Sequence, residues 1–140
     1  LVNISQCIIY VNYKNKLMNI YDELIRNNYP VDFIHGEITK SEREKKLSDF
    51  KNGQTRILLS TDLLSRGIDI QQLNLVINFD LPKSKETYVH RIGRSGRYGR
   101  KGVAINFITN RELGYLNELE EHYNIKIDDL PQNVNEIFNV

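Results

Sequence analysis

Five short apolar runs constrain the fold of this chain more than any other feature of its sequence. They are IIYV (8–11), VDFIH (31–35), RILLS (56–60), LVINF (75–79) and VAINFI (103–108), the second being the weakest. Their apolar residues are nearly continuous rather than alternating, which is typical of strands buried on both faces of a parallel sheet. The sequence therefore predicts five β-strands in a mainly parallel sheet.

Helical patterns fill the segments between the first three runs. Residues 14–28 place apolar side chains three and four positions apart on one face: Leu17, Ile20, Tyr21, Leu24 and Ile25. The stretch TKSE is a capping box with Thr39 as the N-cap and Glu42 three residues later. The helix that it opens is predicted to turn Leu47 and Phe50 inward.

Two further helix starts follow the fourth and fifth runs. Ser84, just past Pro82, can cap a helix that continues to about Ile92. TNRE (109–112) is a second capping box, and the helix after it carries Leu113, Leu116 and Leu119. Strands that alternate with helices predict an α/β fold with right-handed crossovers: a doubly wound, mainly parallel β-sheet with helices on both faces.

Ligands of doubly wound sheets bind beyond the C-terminal ends of the strands. The loops to search are therefore 12–13, 35–39, 60–70, 80–83 and 109–110. A chain of 140 residues, 40% of them apolar, suits one domain with its own core. Its last residues, 128–140, show little periodicity and are expected to form an irregular tail.

Positive charge is concentrated in one segment, although the formal net charge is only +1. Between Lys83 and Lys101, seven lysines and arginines stand against Glu86 alone. A site for nucleic acid or phosphate is therefore expected to be a local patch and not the whole surface.

The single cysteine, Cys7, excludes a disulfide within the chain and a zinc site built from thiolates. It lies in the stretch QCIIYV and is predicted to be a small buried side chain. No run is long enough to cross a bilayer, and the start of the chain has no signal-peptide pattern. We expect part of a longer intracellular protein, cytoplasmic or nuclear, with the cytoplasm favoured.

The stretch HRIGRSGRYGRKG (90–102) has glycine at every third position from residue 93, which argues against a continued helix. Its arginines suit phosphate, because a guanidinium binds two phosphate oxygens at once and keeps its charge. One interpretation is a tightly turned segment that brings Arg94 and Arg97 to a phosphate. The other is a solvated basic turn. His90 alone fits a packed histidine better than a catalyst.

The loop STDLLSRGIDI (60–70) follows the third run. Gly67 permits a tight turn, and Asp69 between two isoleucines could accept hydrogen bonds from ribose hydroxyls. The alternative is that Asp62 and Asp69 only cap the turn. His35 could line the same edge or merely pack there, and His122 is predicted to lie on the surface.

The sequence contains no G-x-x-x-x-G-K-[ST] loop that would cradle phosphates. It also has no second acidic strand end that would hold Mg²⁺. A nucleoside triphosphate would therefore meet only half of its site on this chain, and the other half would lie on another domain.

Four ordered segments resemble the motifs of the second RecA-like domain of DEAD-box RNA helicases. They are IIYVNYKNK (8–16), HGEITKSER (35–43), STDLLSRGID (60–69) and HRIGRSGR (90–97). Two longer stretches, TDLLSRGIDIQQLNLVINFDLP and GRKGVAINFIT, are similar to the initiation factor four-A branch. The resemblance implies that residues 1–140 are the C-terminal RecA-like domain of a longer ATP-dependent RNA helicase. Its expected task is RNA unwinding or remodelling in translation initiation or related mRNA metabolism.

The resemblance also implies a role for each matching residue. Asp69, beside Gly67, would bind the ATP ribose. Arg94 and Arg97 would reach the γ-phosphate, with Arg97 as the arginine finger. His90 would couple the site to the acidic motif of the first domain. Contacts to the RNA backbone, or support for them, would come from Asn12, Gly36, Arg43, Thr61 and Asp62.

ATP is the implied cofactor, with Mg²⁺ held by the N-terminal domain and no metal bound by this chain. The implied partners are RNA, bound through its backbone without sequence specificity, the N-terminal RecA-like domain, and scaffold or regulatory proteins. A monomer without membrane contact is expected. Lys40 stands where the family's Q-x-x-R motif often has Gln, which leaves the partner of Arg43 open. Ser65 and Ser95 replace Ala or Gly of similar relatives.

Two other functions fit parts of the pattern. A RecA-like module that binds RNA or protein without catalysis would belong to a parent gene that lacks the ATPase motifs upstream. A flavodoxin-like or receiver-type domain would need an acidic pocket or a flavin loop at the strand ends, where this chain has arginines.

Overall fold

Strands and helices alternate along the chain in the computed structural model, which describes residues 6–61, 75–92 and 103–132. The strands are β1 (Cys7–Tyr10), β2 (Val31–Ile34), β3 (Ile57–Ser60), β4 (Leu75–Asn78) and β5 (Val103–Asn106). The helices are α1 (Lys14–Arg26), α2 (Lys40–Lys51), α3 (Lys85–Ile92) and α4 (Leu113–Tyr123). A 3₁₀ turn, Asn110–Glu112, leads into α4. The five predicted strands and four predicted helices are thus confirmed.

The five strands form one sheet in the order β2-β3-β1-β4-β5, and every neighbouring pair is parallel. The chain first builds the sheet on one side of β1 and then crosses to the other side. The last residues of the strands stand side by side across the sheet: Ile34, Ser60, Tyr10, Asn78 and Asn106. This row marks the C-terminal edge of the sheet, where the predicted site loops begin.

Successive strand residues point to opposite faces of the sheet, so the nearly continuous apolar runs present apolar side chains on both faces. Helices cover both faces, as predicted. On one face, Ile8 and Tyr10 of β1 pack with Phe50 of α2. On the other face, Val11 packs with Leu17 of α1. The helix α3 lies on the α2 face, since its side chains bond to asparagines that share a register row with Tyr10.

One position of the apolar face predicted for residues 14–28 is wrong, and one of the three leucines of the α4 pattern is exposed. Ile25 is 45% exposed, because the apolar stripe of α1 runs through Leu17, Tyr21 and Leu24 and leaves the next residue turned away from the sheet. Leu113, the first residue of α4, is 49% exposed, whereas Leu119 is fully buried against α3.

The predicted helix starts are confirmed by their hydrogen bonds. The Thr39 hydroxyl accepts from the backbone N–H of Glu42 at 3.1 Å, and the Ser84 hydroxyl accepts from that of Thr87 at 3.1 Å. In the second capping box the backbone N–H of Thr109 donates to Glu112 Oε1 at 2.9 Å. These bonds satisfy backbone donors that a helix start would otherwise leave without partners.

None of the helices within the described ranges is both long and apolar enough to cross a membrane. Residues 128–132, the described part of the predicted tail, contain no helix or strand.

Candidate functional site

The C-terminal edge of the sheet brings three predicted site residues to one side of the molecule. Backbone hydrogen bonds continue one residue past the strands: Val11 N to Ser60 O, Thr61 N to Ile34 O, and Phe79 N to Tyr10 O, at 3.0–3.2 Å. The chain therefore leaves the sheet in register, and Asn12, Gly36 and Thr61 lie at the exits of β1, β2 and β3. This grouping follows from parallel pairing of segments that are far apart in sequence.

Among the described residues of this edge, Arg91 is the most buried charged side chain, with no exposed surface. Its Nη1 donates to the Asp80 backbone carbonyl at 2.6 Å and to Asn78 Oδ1 at 3.2 Å. Its Nη2 donates to Asn12 Oδ1 at 2.7 Å, and the guanidinium carbon lies 5.0 Å from the Tyr10 ring centroid. A buried guanidinium is tolerated only when such acceptors replace water. Arg91 therefore fixes α3 to the exits of β1 and β4.

Asn12 is committed to contacts inside the domain. Its backbone N–H donates to Asp80 Oδ2 at 2.9 Å, and its Nδ2 donates to the Leu81 carbonyl at 2.8 Å. Its Oδ1 accepts from Arg91. Lys16 of α1 pairs with the same Asp80 carboxylate. These contacts hold Asn12 within the domain, and its role towards RNA, contact or support of that contact, stays a prediction.

A ladder of amides continues from Arg91 across the last two strands. Asn78 Nδ2 donates to Asn106 Oδ1 at 2.8 Å, and Asn106 Nδ2 donates to the Tyr88 hydroxyl oxygen at 3.1 Å. Burial raises the pKa of Tyr88, and the hydrogen bond from Asn106 acts in the opposite direction. Sequence reasoning missed both asparagines. Their signal was available, since an amide inside an apolar strand has to find hydrogen-bond partners.

The exit of β2 is organised by His35. Its ring is buried and stacks on Phe33, with centroids 5.3 Å apart and planes at 13°. Its Nδ1 accepts from the Glu37 backbone N–H at 3.1 Å. These contacts favour the packing role among the two predicted for His35. Lys14 pairs with Glu37, and its hydrogen bond and charge lower the pKa of that carboxyl.

Gly36 and Arg43 flank the start of α2. Gly36 is exposed, and a Cβ atom built there would meet nothing within 4 Å. Arg43 is half-buried, and among the described residues its Nε, buried from solvent, finds no hydrogen-bond acceptor. Lys40, which stands where the family often has Gln, is exposed. The partner of Arg43 that the sequence left open is thus not supplied by the described part of the chain.

His90 lies near the end of α3, where its Nε2 is 3.5 Å from Glu86 Oε1 and its side chain is 39% exposed. It is therefore accessible, unlike its neighbour Arg91. His122 is exposed on α4, as predicted.

Five predicted site residues lie outside the described residues: Asp62, Gly67, Asp69, Arg94 and Arg97. The substitutions Ser65 and Ser95 also lie there. Within the described ranges, no group of three or more His, Cys, Asp or Glu side chains could hold a metal ion.

Comparison with known proteins places this fold and edge in a family. A profile described as "Helicase conserved C-terminal domain" matches residues 1–99. The ATP-dependent RNA helicase eIF4A of Kluyveromyces lactis is 47% identical over 137 residues, which cover 98% of this chain and 35% of the relative. The ATP-dependent RNA helicase FAL1 of Eremothecium gossypii is 51% identical over 136 residues, or 97% and 34%.

Solved structures agree with the sequence relatives. Saccharomyces cerevisiae Dbp5 bound to RNA and ADP BeF3 superimposes with a TM-score of 0.84 at 35% identity, covering 89% of this chain and 34% of that one. A structure of the C-terminal domain of the DEAD-box protein Dbp5 gives 0.86 at 34% identity, covering 99% and 81%.

A parallel sheet in this order, shared with the C-terminal domains of DEAD-box proteins, defines a RecA-like helicase domain, and the chain belongs to the helicase conserved C-terminal domain family. Within that family its relatives are DEAD-box RNA helicases of the eIF4A and FAL1 type. The chain spans about a third of the length of these curated relatives.

Proposed function

We propose that this chain is the C-terminal half of an ATP-dependent DEAD-box RNA helicase, which remodels RNA duplexes when joined to an N-terminal RecA-like domain. The observation that carries the proposal is the sheet edge. It gathers Asn12, Gly36 and Thr61, and Arg91 fixes α3, with its accessible His90, to the same edge. The relatives are named ATP-dependent RNA helicases, and Dbp5 was solved with RNA and ADP BeF3, which supports this assignment.

Nucleotide chemistry would be shared between the two domains. Phosphoryl transfer needs positioning and charge neutralisation more than covalent catalysis, so arginines supplied across a cleft can contribute much of the rate. Asp69 and Gly67 would bind the ribose, while Arg94 and Arg97 would neutralise the γ-phosphate. His90 would link the two halves. Mg²⁺ would be held by the N-terminal domain.

RNA would be bound through its phosphates and 2′-hydroxyls, without reading of bases. Gly36 and Thr61 lie exposed or half-buried at neighbouring strand ends, with Asp62 next along the chain. Arg43 adds a buried Nε that finds no acceptor among the described residues. A buried donor without a partner is costly, and a bound phosphate would supply the acceptor that Arg43 needs.

The relatives also support a cellular process and a class of protein partners for this chain. Similarity to eIF4A favours translation initiation or related mRNA metabolism in the cytoplasm. Structures of relatives include complexes with other proteins, such as Dbp5 with Gle1 and SrmB with regulator of ribonuclease activity A, which supports scaffold or regulatory proteins as partners.

The test is ATP hydrolysis by a chimera in which this chain replaces the matching region of the FAL1 helicase of Eremothecium gossypii. We expect negligible hydrolysis by the chain alone and RNA-stimulated hydrolysis by the chimera. The controls are intact FAL1 and FAL1 without this region. A folded chimera that binds RNA yet hydrolyses no ATP would instead favour the non-catalytic RNA-binding module.

A further inference from the structure

We propose that Arg91 is a positioning residue that couples the RNA-binding edge to the nucleotide-binding side of the domain. The inference rests on the function proposed above and deepens it, because it names the side chain through which one site affects the other. Arg91 itself, fully buried, would touch neither ligand.

The coupling follows from the three elements that one guanidinium joins. Arg91 belongs to the last turn of α3, directly after His90. Its hydrogen bonds reach Asn12, at the exit of β1, and Asn78 with the Asp80 carbonyl, at the end of β4. The first of these partners lies 79 positions away in sequence.

The planar geometry of the guanidinium makes this junction stiff. Its nitrogen donors diverge in one plane, so Asn12 and Asn78 can both be satisfied only while α3 keeps its orientation. A shift of the β1 exit on RNA binding would leave a buried donor without its acceptor, which is costly. The helix therefore has to follow the exit, and His90 moves with it. Conversely, a movement of α3 on nucleotide binding would be passed through Arg91 to the exit of β1.

The amide ladder provides a matched comparison. Asn106 bonds to Asn78 and to Tyr88, and so ties α3 to β5. Removing its carboxamide takes away two hydrogen bonds, the same number that Asn78→Ala removes, at a half-buried position. It leaves the bond between Arg91 and Asn12 in place.

The test measures RNA affinity of the FAL1 chimera with and without ADP·BeF3. In the unsubstituted chimera we expect the nucleotide to tighten RNA binding by roughly 5- to 150-fold. In Arg91→Lys and Asn78→Ala this gain should fall to less than about one third of its value, with RNA affinity in the absence of nucleotide little changed. By reciprocity, the RNA-dependent gain in nucleotide affinity should fall by the same factor. Asn106→Ala should keep the full gain.

Thermal melting identifies a temperature at which each variant is folded. If Arg91→Lys fails to fold, Asn78→Ala alone tests the proposal. Full coupling in both folded variants would overturn the proposal. An equal loss of coupling in Asn106→Ala would also overturn it, because the effect would then be general destabilisation. An unsubstituted chimera in which ADP·BeF3 has no effect on RNA affinity would overturn the proposed function itself.

Discussion

At the scale of single residues, burial reveals a structural role of Arg91 that its spacing in the sequence does not show. Arg91, Arg94 and Arg97 recur every three positions in HRIGRSGR. Spacing alone gives no reason to single out the first, yet Arg91 has no exposed surface and hydrogen-bonds within the domain. Its burial depends on Asn12 and Asn78, residues brought to it by the sheet. A motif of evenly spaced arginines can thus include one whose role is structural.

Cys7 gives a residue-scale prediction. It was expected to be buried and is only 7% exposed in β1, where burial raises the pKa of its thiol to about 11 from 9.0. Because the thiolate is the reactive form, a thiol reagent at pH 8 should modify the folded chain at least roughly 100-fold more slowly than the denatured chain. The absorbance of the group that the reagent releases measures the rate in each state. Equal rates in the folded and denatured states would contradict the burial of Cys7.

The same thiol sets a direction for pH dependence. The folded state holds the Cys7 proton more tightly than the unfolded state, so this contribution to stability is complete below about pH 9. It is lost as the pH rises through about 11. Comparison of denaturant midpoints with Cys7→Ala across this window isolates the contribution of the thiol from that of the tyrosines and lysines.

At the scale of elements, the sequence predicted the helix caps well. Thr39, Ser84 and the TNRE box cap their helices as expected, because a cap involves residues only three positions apart. The apolar stripe of α1 was predicted less well. Leu24 and Ile25 are adjacent and equally apolar, and only packing against the sheet shows which one turns inward.

The cap of α2 gives the prediction at this scale. Thr39→Ala removes the acceptor for the Glu42 N–H and should lower the free energy of unfolding by about 1 kcal/mol. Thr39→Ser should retain most of the stability. Ser41→Ala, an exposed position in the same turn, is the matched control and should change it by less than about 0.5 kcal/mol. Chemical denaturation measures all three, and equal midpoints for Thr39→Ala and Ser41→Ala would contradict the role of the cap.

At the scale of the whole molecule, the apolar runs predicted the class of fold, and the motifs predicted the family. The position of each strand in the sheet did not follow from these patterns, because strand order depends on pairings between distant segments. That order is what places Asn12 between the exits of β3 and β4. It also explains why Asn78 and Asn106 were missed: their amides meet only after β4 and β5 pair in register.

The account as a whole depends on a shared nucleotide site, in which arginines of this domain act on a triphosphate held by its neighbour. The most direct measurement is the ATPase kinetics of the FAL1 chimera carrying Arg97→Ala, with Arg111→Ala, at an exposed position before α4, as the control. We predict that Arg97→Ala lowers kcat by about 10³-fold or more with a much smaller change in KM, and that Arg111→Ala leaves both unchanged. An unchanged kcat for Arg97→Ala in a folded, RNA-binding chimera would contradict the account.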